Sequence, residues 1–194
     1  MGESKTKIFL HTCCAVCGRL FAEFLAEGYE PVIYYDNPNV FPKEEYVKRK
    51  DEAETLARKF GLRFIEGDYD HTEWLSLVKK FASEPEGGKR CDLCFRIRLD
   101  RAARKAEDEG IDLFTTTLAL SPYKNAASVK EAGEAAAELI KFLTPWEDFD
   151  KRDFWRRNME IVRKEEIYRQ SYCGCEYSIL SRREKRDRAK ASES

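Results

Sequence analysis

Lys7-Ile8-Phe9-Leu10-His11-Thr12-Cys13-Cys14-Ala15-Val16-Cys17 is the stretch on which the fold turns. Its apolar run, Ile8-Phe9-Leu10, is short and bounded by polar residues, as in a buried strand. Val16, Leu20 and Phe24, with Phe21 and Leu25, then recur at helical spacing, and Gly28 ends the helix. The order is strand, tight turn, helix, with three thiols at the junction. The positive end of a helix dipole favours thiolate at such a place. The other four of the seven cysteines form two pairs, Cys91/Cys94 and Cys173/Cys175.

The same alternation continues outward. Pro31 to Tyr35 reads as a strand, and Asp36-Asn37-Pro38-Asn39 as a turn. A charged helix over Lys43–Phe60 is stopped by Gly61, and a strand over Leu62–Ile65 follows. Asp70–Ala82 places Trp74, Leu75, Val78 and Phe81 on one helical face. Cys91 opens a helix that runs to Glu109. Ile111–Thr117 is a fourth strand, Lys124–Ala137 a helix, Glu138–Leu143 a fifth strand and Lys151–Tyr168 a last helix. Strands alternating with helices predict an α/β domain over residues 1–180. It has a parallel five-stranded sheet, helices on both faces, a C-terminal helical segment and a polar basic tail over 181–194. Ligands of such sheets sit at the carboxyl ends of the strands, at the topological switch point. Order 3-2-1-4-5 would put Cys13 and Cys14, Asp36, and Thr115-Thr116-Thr117 at that crevice.

Composition narrows the function. The chain has 194 residues, 42% hydrophobic and 37% charged, enough for one domain with its own core. No apolar run nears the roughly 20 residues of a membrane span, and Met1–Lys7 lacks a signal-peptide core. The expectation is a cytoplasmic protein away from membranes, where clustered cysteines serve metal or redox chemistry rather than disulfide staples. Residues 151–190 carry 13 Lys/Arg against 7 Asp/Glu, while residues 1–150 carry 22 against 28. A polyanion would therefore meet the C-terminal part; a solvated, salt-bridged helix is the alternative. No Gly-rich dinucleotide fingerprint or Walker loop is present, so no nucleotide cofactor is signalled.

Several residues admit two readings. Cys91-x-x-Cys94 suits a zinc knuckle half, a redox pair or half of an iron–sulfur site. With Cys13 and Cys14 it completes a Cys₄ set for zinc or a [4Fe–4S] cluster. Cys173-Gly174-Cys175 suits an easily reduced disulfide or two further ligands. His11 is either a structural or a catalytic histidine, and His71 a capping or surface one. Asp36 is either a turn former or an oxygen ligand or proton donor. Ser121-Pro122-Tyr123-Lys124 either caps the next helix or contacts an anionic or nucleoside group. Trp155, Arg156, Arg157, Tyr168, Arg169 and Tyr172 interleave aromatics with guanidiniums, which suits phosphate contacts and base stacking. Trp155 suits a core position equally.

Five motifs in order carry a resemblance. They are His11-x-Cys13-Cys14-Ala15-x-Cys17; Asn37-Pro38-Asn39 with Glu45-Tyr46; and Cys91-x-x-Cys94-Phe95-x-x-Arg98-Leu99. Thr116-Thr117-Leu118 with Ser121-Pro122-Tyr123, and Tyr168-Arg169-Gln170-x-Tyr172-Cys173-Gly174-Cys175, complete the set. Together they resemble the cobalamin-independent epoxyqueuosine reductases, the QueH family. The resemblance implies an adenine nucleotide α-hydrolase (HUP)-like fold. It implies reduction of epoxyqueuosine to queuosine at the wobble position of tRNA, an oxidoreductase reaction fed by an electron donor. It also implies a [4Fe–4S] cluster on Cys13, Cys14, Cys91 and Cys94, and a redox-active pair at Cys173 and Cys175. Cys17 is left over, and with Asp36 is assigned to a second iron or to the substrate. Asp36 or His11 is the expected proton donor. Ser121, Tyr123, Lys124, Arg156, Arg157 and Arg169 are the expected tRNA contacts. The alternatives are a zinc-stapled tRNA-binding protein and a thiol–disulfide oxidoreductase.

Overall fold

A computed structural model describes residues 5–138 and 140–182. The expected alternation is present. Strands β1 (Lys7–His11), β2 (Glu30–Tyr35), β3 (Arg63–Glu66), β4 (Leu113–Thr116) and β5 (Lys141–Phe142) form one parallel sheet in the order β3-β2-β1-β4-β5. β1 is central, with Phe9 in register between Val32 and Phe114. Ile8, Phe9 and Leu10 are fully buried because helices cover both faces of the strand. The chain reverses its winding between β1 and β4, so the Cys13–Cys17 segment lies at the switch point.

Helices α1 (Ala15–Gly28), α2 (Lys43–Lys59) and α6 (Lys151–Lys164) pack together, as do α3 (His71–Val78), α4 (Lys89–Asp108) and α5 (Ala126–Ala136). α6 is fastened to α1 by a buried amide. Asn158 Nδ2 donates to the Val16 carbonyl at 2.7 Å, and its Oδ1 accepts from the Leu20 N–H at 3.2 Å. Beyond α6, Glu165 accepts both arms of the Arg19 guanidinium at 2.7 Å and pairs with Lys59 at 3.0 Å. The Arg19 hydrogen bonds hold the Glu165 carboxyl at about 2, below its usual range. A depressed carboxyl pKa stabilises the fold above the unfolded value and loses that contribution as pH falls through the folded one. Glu165→Gln is therefore expected to cost on the order of 1–2 kcal/mol at neutral pH. It should also flatten the pH dependence of the urea midpoint between about pH 4.5 and pH 2.

Several element ends differ from the sequence expectation. α5 starts at Ala126 rather than Lys124 because Asn125, not Ser121, caps it, accepting from the N–H groups of Ala127 and Ser128. Ser121–Lys124 is thus loop. α3 ends at Val78 and passes into a 3₁₀ turn over Lys79–Phe81. α6 stops at Lys164 because Glu166 takes a left-handed conformation (φ 55°) and the Ile167 N–H returns to the Val162 carbonyl. A helical segment over 176–182 precedes the part of the expected tail, 183–194, that lies outside the described residues. None of the described helices is long and apolar enough to cross a membrane.

Candidate functional site

The first thiol group is built by the β1–α1 turn. Cys14 is the N-cap residue, in extended conformation, and its side chain caps nothing. The sulfurs of Cys13, Cys14 and Cys17 lie within 4.8 Å of one another, all buried. Thr117, just past β4, grips Cys13 twice: its Oγ1 accepts from the Cys13 N–H at 3.0 Å and donates to Cys13 Sγ at 3.3 Å. Gln170 Nε2 donates to Cys14 Sγ at 3.0 Å. Hydrogen bonds from the Cys14 and Cys17 thiols hold Cys13 well below the usual thiol range. Donating that bond pushes Cys14 up to about 11, and Cys17 rises as well. The first negative charge of the triad therefore settles on Cys13.

The other four cysteines form a second group. Cys91 and Cys94, on the first turns of α4, line a small cavity with Cys173 and Cys175. The Gly87 N–H donates to Cys91 Sγ at 3.2 Å. Burial pushes Cys91 up to about 11 and Cys175 up to about 12. All seven cysteines are free thiols. The second cavity adjoins a larger one of about 730 Å³ that Cys13 and Cys17 line, with Cys173, Arg98, Lys124 and Asn39 common to both. The leftover Cys17 thus joins Cys13 and Cys14, while Cys91 and Cys94 stand with Cys173 and Cys175.

These residues fit a soft metal or an iron–sulfur group. Thiolate sulfur is the donor such centres take. The buried donors Arg98 Nε and Trp74 Nε1 have no hydrogen-bond partner of good geometry. Both side chains lie beside Cys94 and oppose the rise that burial imposes on its thiol. Unspent donors around a buried sulfur suit an anionic acceptor there.

The larger cavity is basic. Among the described residues, Arg49, Arg98, Lys124, Arg169 and Arg182 line it against a single carboxylate, Glu86. Burial would lower the Lys124 pKa, but negative charge on the neighbouring cysteine sulfurs raises it on balance. Ser121, Tyr123, Lys124 and Arg169 all line this cavity. Arg156 and Arg157 do not: both are exposed on α6, and Arg156 is tied to Asp153 and Glu160.

The two expected proton donors lie behind the cavity wall. His11 is fully buried, its ring nitrogens 2.8 Å from Thr116 Oγ1 and 3.3 Å from the Asp36 carbonyl oxygen. Burial and then Arg98 lower its pKa to about 3, so the ring is neutral. The Asp36 carboxylate takes both arms of Arg101, at 2.7 and 2.9 Å, rather than joining Cys17. Neither residue lines the cavity. His71 is neither a cap nor a free surface residue; Asp70 caps α3, and His71 bridges the Pro38 carbonyl and Glu176.

Sequence reasoning gave no role to Arg49 or Arg101, and named Thr117 and Arg98 only as members of motifs or of the crevice. Arg49 and Thr117 bond to cysteine-bearing segments far along the chain, and Arg101 holds Asp36. Arg98 carried a further signal, standing one helical turn after Cys94 on the same face.

Three comparisons bear on this arrangement. A chain titled as a predicted subunit of a tRNA methyltransferase from Methanocaldococcus jannaschii superposes with a TM-score of 0.53 over 85% of this chain and 92% of that one. At 13% identity it shows the likeness of fold alone. Epoxyqueuosine reductase QueH of Haemophilus influenzae is 39% identical over 179 residues, 91% of this chain and 73% of the relative. The Thermotoga maritima protein of the same name is 34% identical over 92% of this chain and 93% of its own length. The family model described as epoxyqueuosine reductase QueH matches residues 8–181, which include all seven thiols. By that match and those identities, the chain belongs to the epoxyqueuosine reductase QueH family of oxidoreductases.

Proposed function

We propose that this chain reduces epoxyqueuosine at the wobble position of tRNA to queuosine, in the cytoplasm. Both carbon–oxygen bonds of the epoxide break, an alkene forms between the two carbons, and the oxygen leaves as water. The balance requires two electrons and two protons, so the reaction needs an external electron donor. The observation that carries the reading is that a buried thiol triad and a second, partly buried thiol group flank two adjoining cavities, the larger lined by five cations and, among the described residues, one carboxylate. Together with family membership, it favours redox chemistry on an anionic polymer over hydrolysis.

Cys13, Cys14, Cys91 and Cys94 are the proposed holders of a [4Fe–4S] cluster, and Cys17 of a second iron beside it. Such a group, when bound, supplies single electrons and a Lewis-acidic iron. The chain's own residues do the rest. Thr117 and Gln170 orient Cys13 and Cys14 through hydrogen bonds to sulfur. Arg98 and Lys124 offset thiolate charge and hold polar groups of the substrate. Cys173 lies where the cavities meet, placed to pass or store an electron pair with Cys175. Tyr123 and Arg169 meet the RNA at the mouth.

The test is incubation of the anaerobically purified protein with epoxyqueuosine-bearing tRNA and a chemical reductant, with mass analysis of the digested nucleosides. Loss of one oxygen from the epoxyqueuosine supports the proposal. An unchanged epoxide with a zinc-loaded, sulfide-free protein contradicts it and favours a zinc-stapled RNA-binding role. Thr117→Val deletes the hydroxyl that grips Cys13 while keeping its shape. It is expected to lower iron retention roughly 10- to 100-fold, read by iron analysis after chelator challenge.

A further inference from the structure

We propose that Trp155 is the wall on which the base of the reacting nucleotide stacks, beside the thiols that act on it. The inference rests on the proposed reaction, because it takes the reacting group to be carried on a nucleobase. Trp155 lines the larger cavity together with Cys13 and Cys17. It is half-buried, while its neighbours Phe154, Asn158 and Met159 are buried in the core. Its position is fixed by Asn158, which bonds the Val16 carbonyl and the Leu20 N–H. Those two groups bound the turn of α1 that carries Cys17. The helix that carries the indole is therefore fastened directly to the helical turn that carries Cys17.

The chemistry of the substrate calls for such a surface. Cys13 and Cys17 are 7% and 3% exposed, so a group acted on there must leave the RNA stack and enter the cavity. A base that leaves its stack regains stacking on an aromatic side chain. The other two tryptophans cannot supply it, since Trp74 is 2% and Trp146 1% exposed. Tyr123, 78% exposed on the loop before α5, stands at the same cavity as a second aromatic surface.

Two RNA hairpins test the proposal: an anticodon stem–loop with epoxyqueuosine at the wobble position, and the same hairpin with an abasic wobble nucleotide. The first is expected to quench tryptophan fluorescence in the wild-type protein, and the second to bind without that quenching. Trp155→Leu is expected to raise KM for the first roughly 5- to 150-fold, the range of a lost base stack, with kcat nearly kept. It should leave affinity for the abasic hairpin unchanged. Trp155→Phe retains a ring and should stay within about threefold of wild type. Equal quenching by both hairpins, or equal weakening of both by Trp155→Leu, overturns the stacking role, as does no weakening of either. Quenching by the epoxyqueuosine hairpin without any reduction of the epoxide would keep the stack and sink the proposed reaction instead.

Discussion

Cys13→Ala protein, purified without air, is expected to lose most of its iron and sulfide and to turn over more than about 100-fold slower. Removing a group that merely orients a ligand costs 10- to 100-fold, so removing the ligand costs more. Cys13 is the most consequential of the thiols on physical grounds. It is the one whose pKa the neighbouring thiols hold low, so it gives up its proton first. It receives the Thr117 hydroxyl, lies before the N-terminus of α1 and lines the larger cavity. Cys13→Ser separates two explanations. Serine keeps the size and the hydrogen bond but offers hard oxygen in place of soft sulfur, so it should fail to hold iron as well. If Cys13 were only a small buried apolar residue, both variants would retain iron and activity, and fluorescence and thermal unfolding would report the only change.

Arg49→Ala is expected to cost about 3–5 kcal/mol of unfolding free energy, the range for removing one partner of a buried pair. The Arg49 side chain is 2% exposed on α2. Its Nε donates to Glu45 at 2.7 Å, and its terminal nitrogens donate to the carbonyls of Cys173 and Tyr172 at 2.9 and 3.2 Å. The Tyr172 ring lies 5.1 Å from the guanidinium carbon. Alanine would leave two carbonyls without their donor, and the 13% exposed Glu45 carboxylate without its cation and with only the Tyr168 hydroxyl donating to it. Because these carbonyls belong to the segment that presents Cys173, the Cys173 thiol of the variant is also expected to alkylate faster than that of the wild-type protein. Lysine restores the charge but cannot span Glu45 and two carbonyls with one ammonium, so Arg49→Lys should recover only part of the stability. Urea unfolding with loss below about 1 kcal/mol would place Arg49 among ordinary surface ion pairs.

The fold was legible because its signals are local. Ile8-Phe9-Leu10 and the helical spacing from Val16 to Leu25 needed no distant partner to be read. The switch point then followed from strand order, and with it the place of Cys13–Cys17. The clustering of thiols was also legible, since cysteine spacing is written along the chain. Their grouping was not. Cys17 joins Cys13 and Cys14 through one turn of α1, while Cys91 and Cys94 face the Cys173–Cys175 segment only after the chain has folded. The surroundings of His11 and Asp36 were hidden for a similar reason. A histidine or aspartate at a strand end looks available until Thr116 and Arg101, 105 and 65 residues away, take up its polar atoms. Arg49 and Asn158 left no trace in any motif because their work is done on residues more than 100 positions distant, and Thr117 stood in a motif without its grip on Cys13, 104 residues away, being readable. Basic residues were easier to count than to place: Arg156 spends its guanidinium on α6 itself, and Arg169 reaches the cavity.

The central claim is that a thiol-held iron centre at the β1–α1 turn removes the epoxide oxygen. Its most direct test is a single-turnover reaction of epoxyqueuosine tRNA with protein prepared at graded iron content under a constant reductant. The account predicts that queuosine formed rises in proportion to bound iron and sulfide and vanishes without them. Full conversion by an iron-free preparation would contradict it.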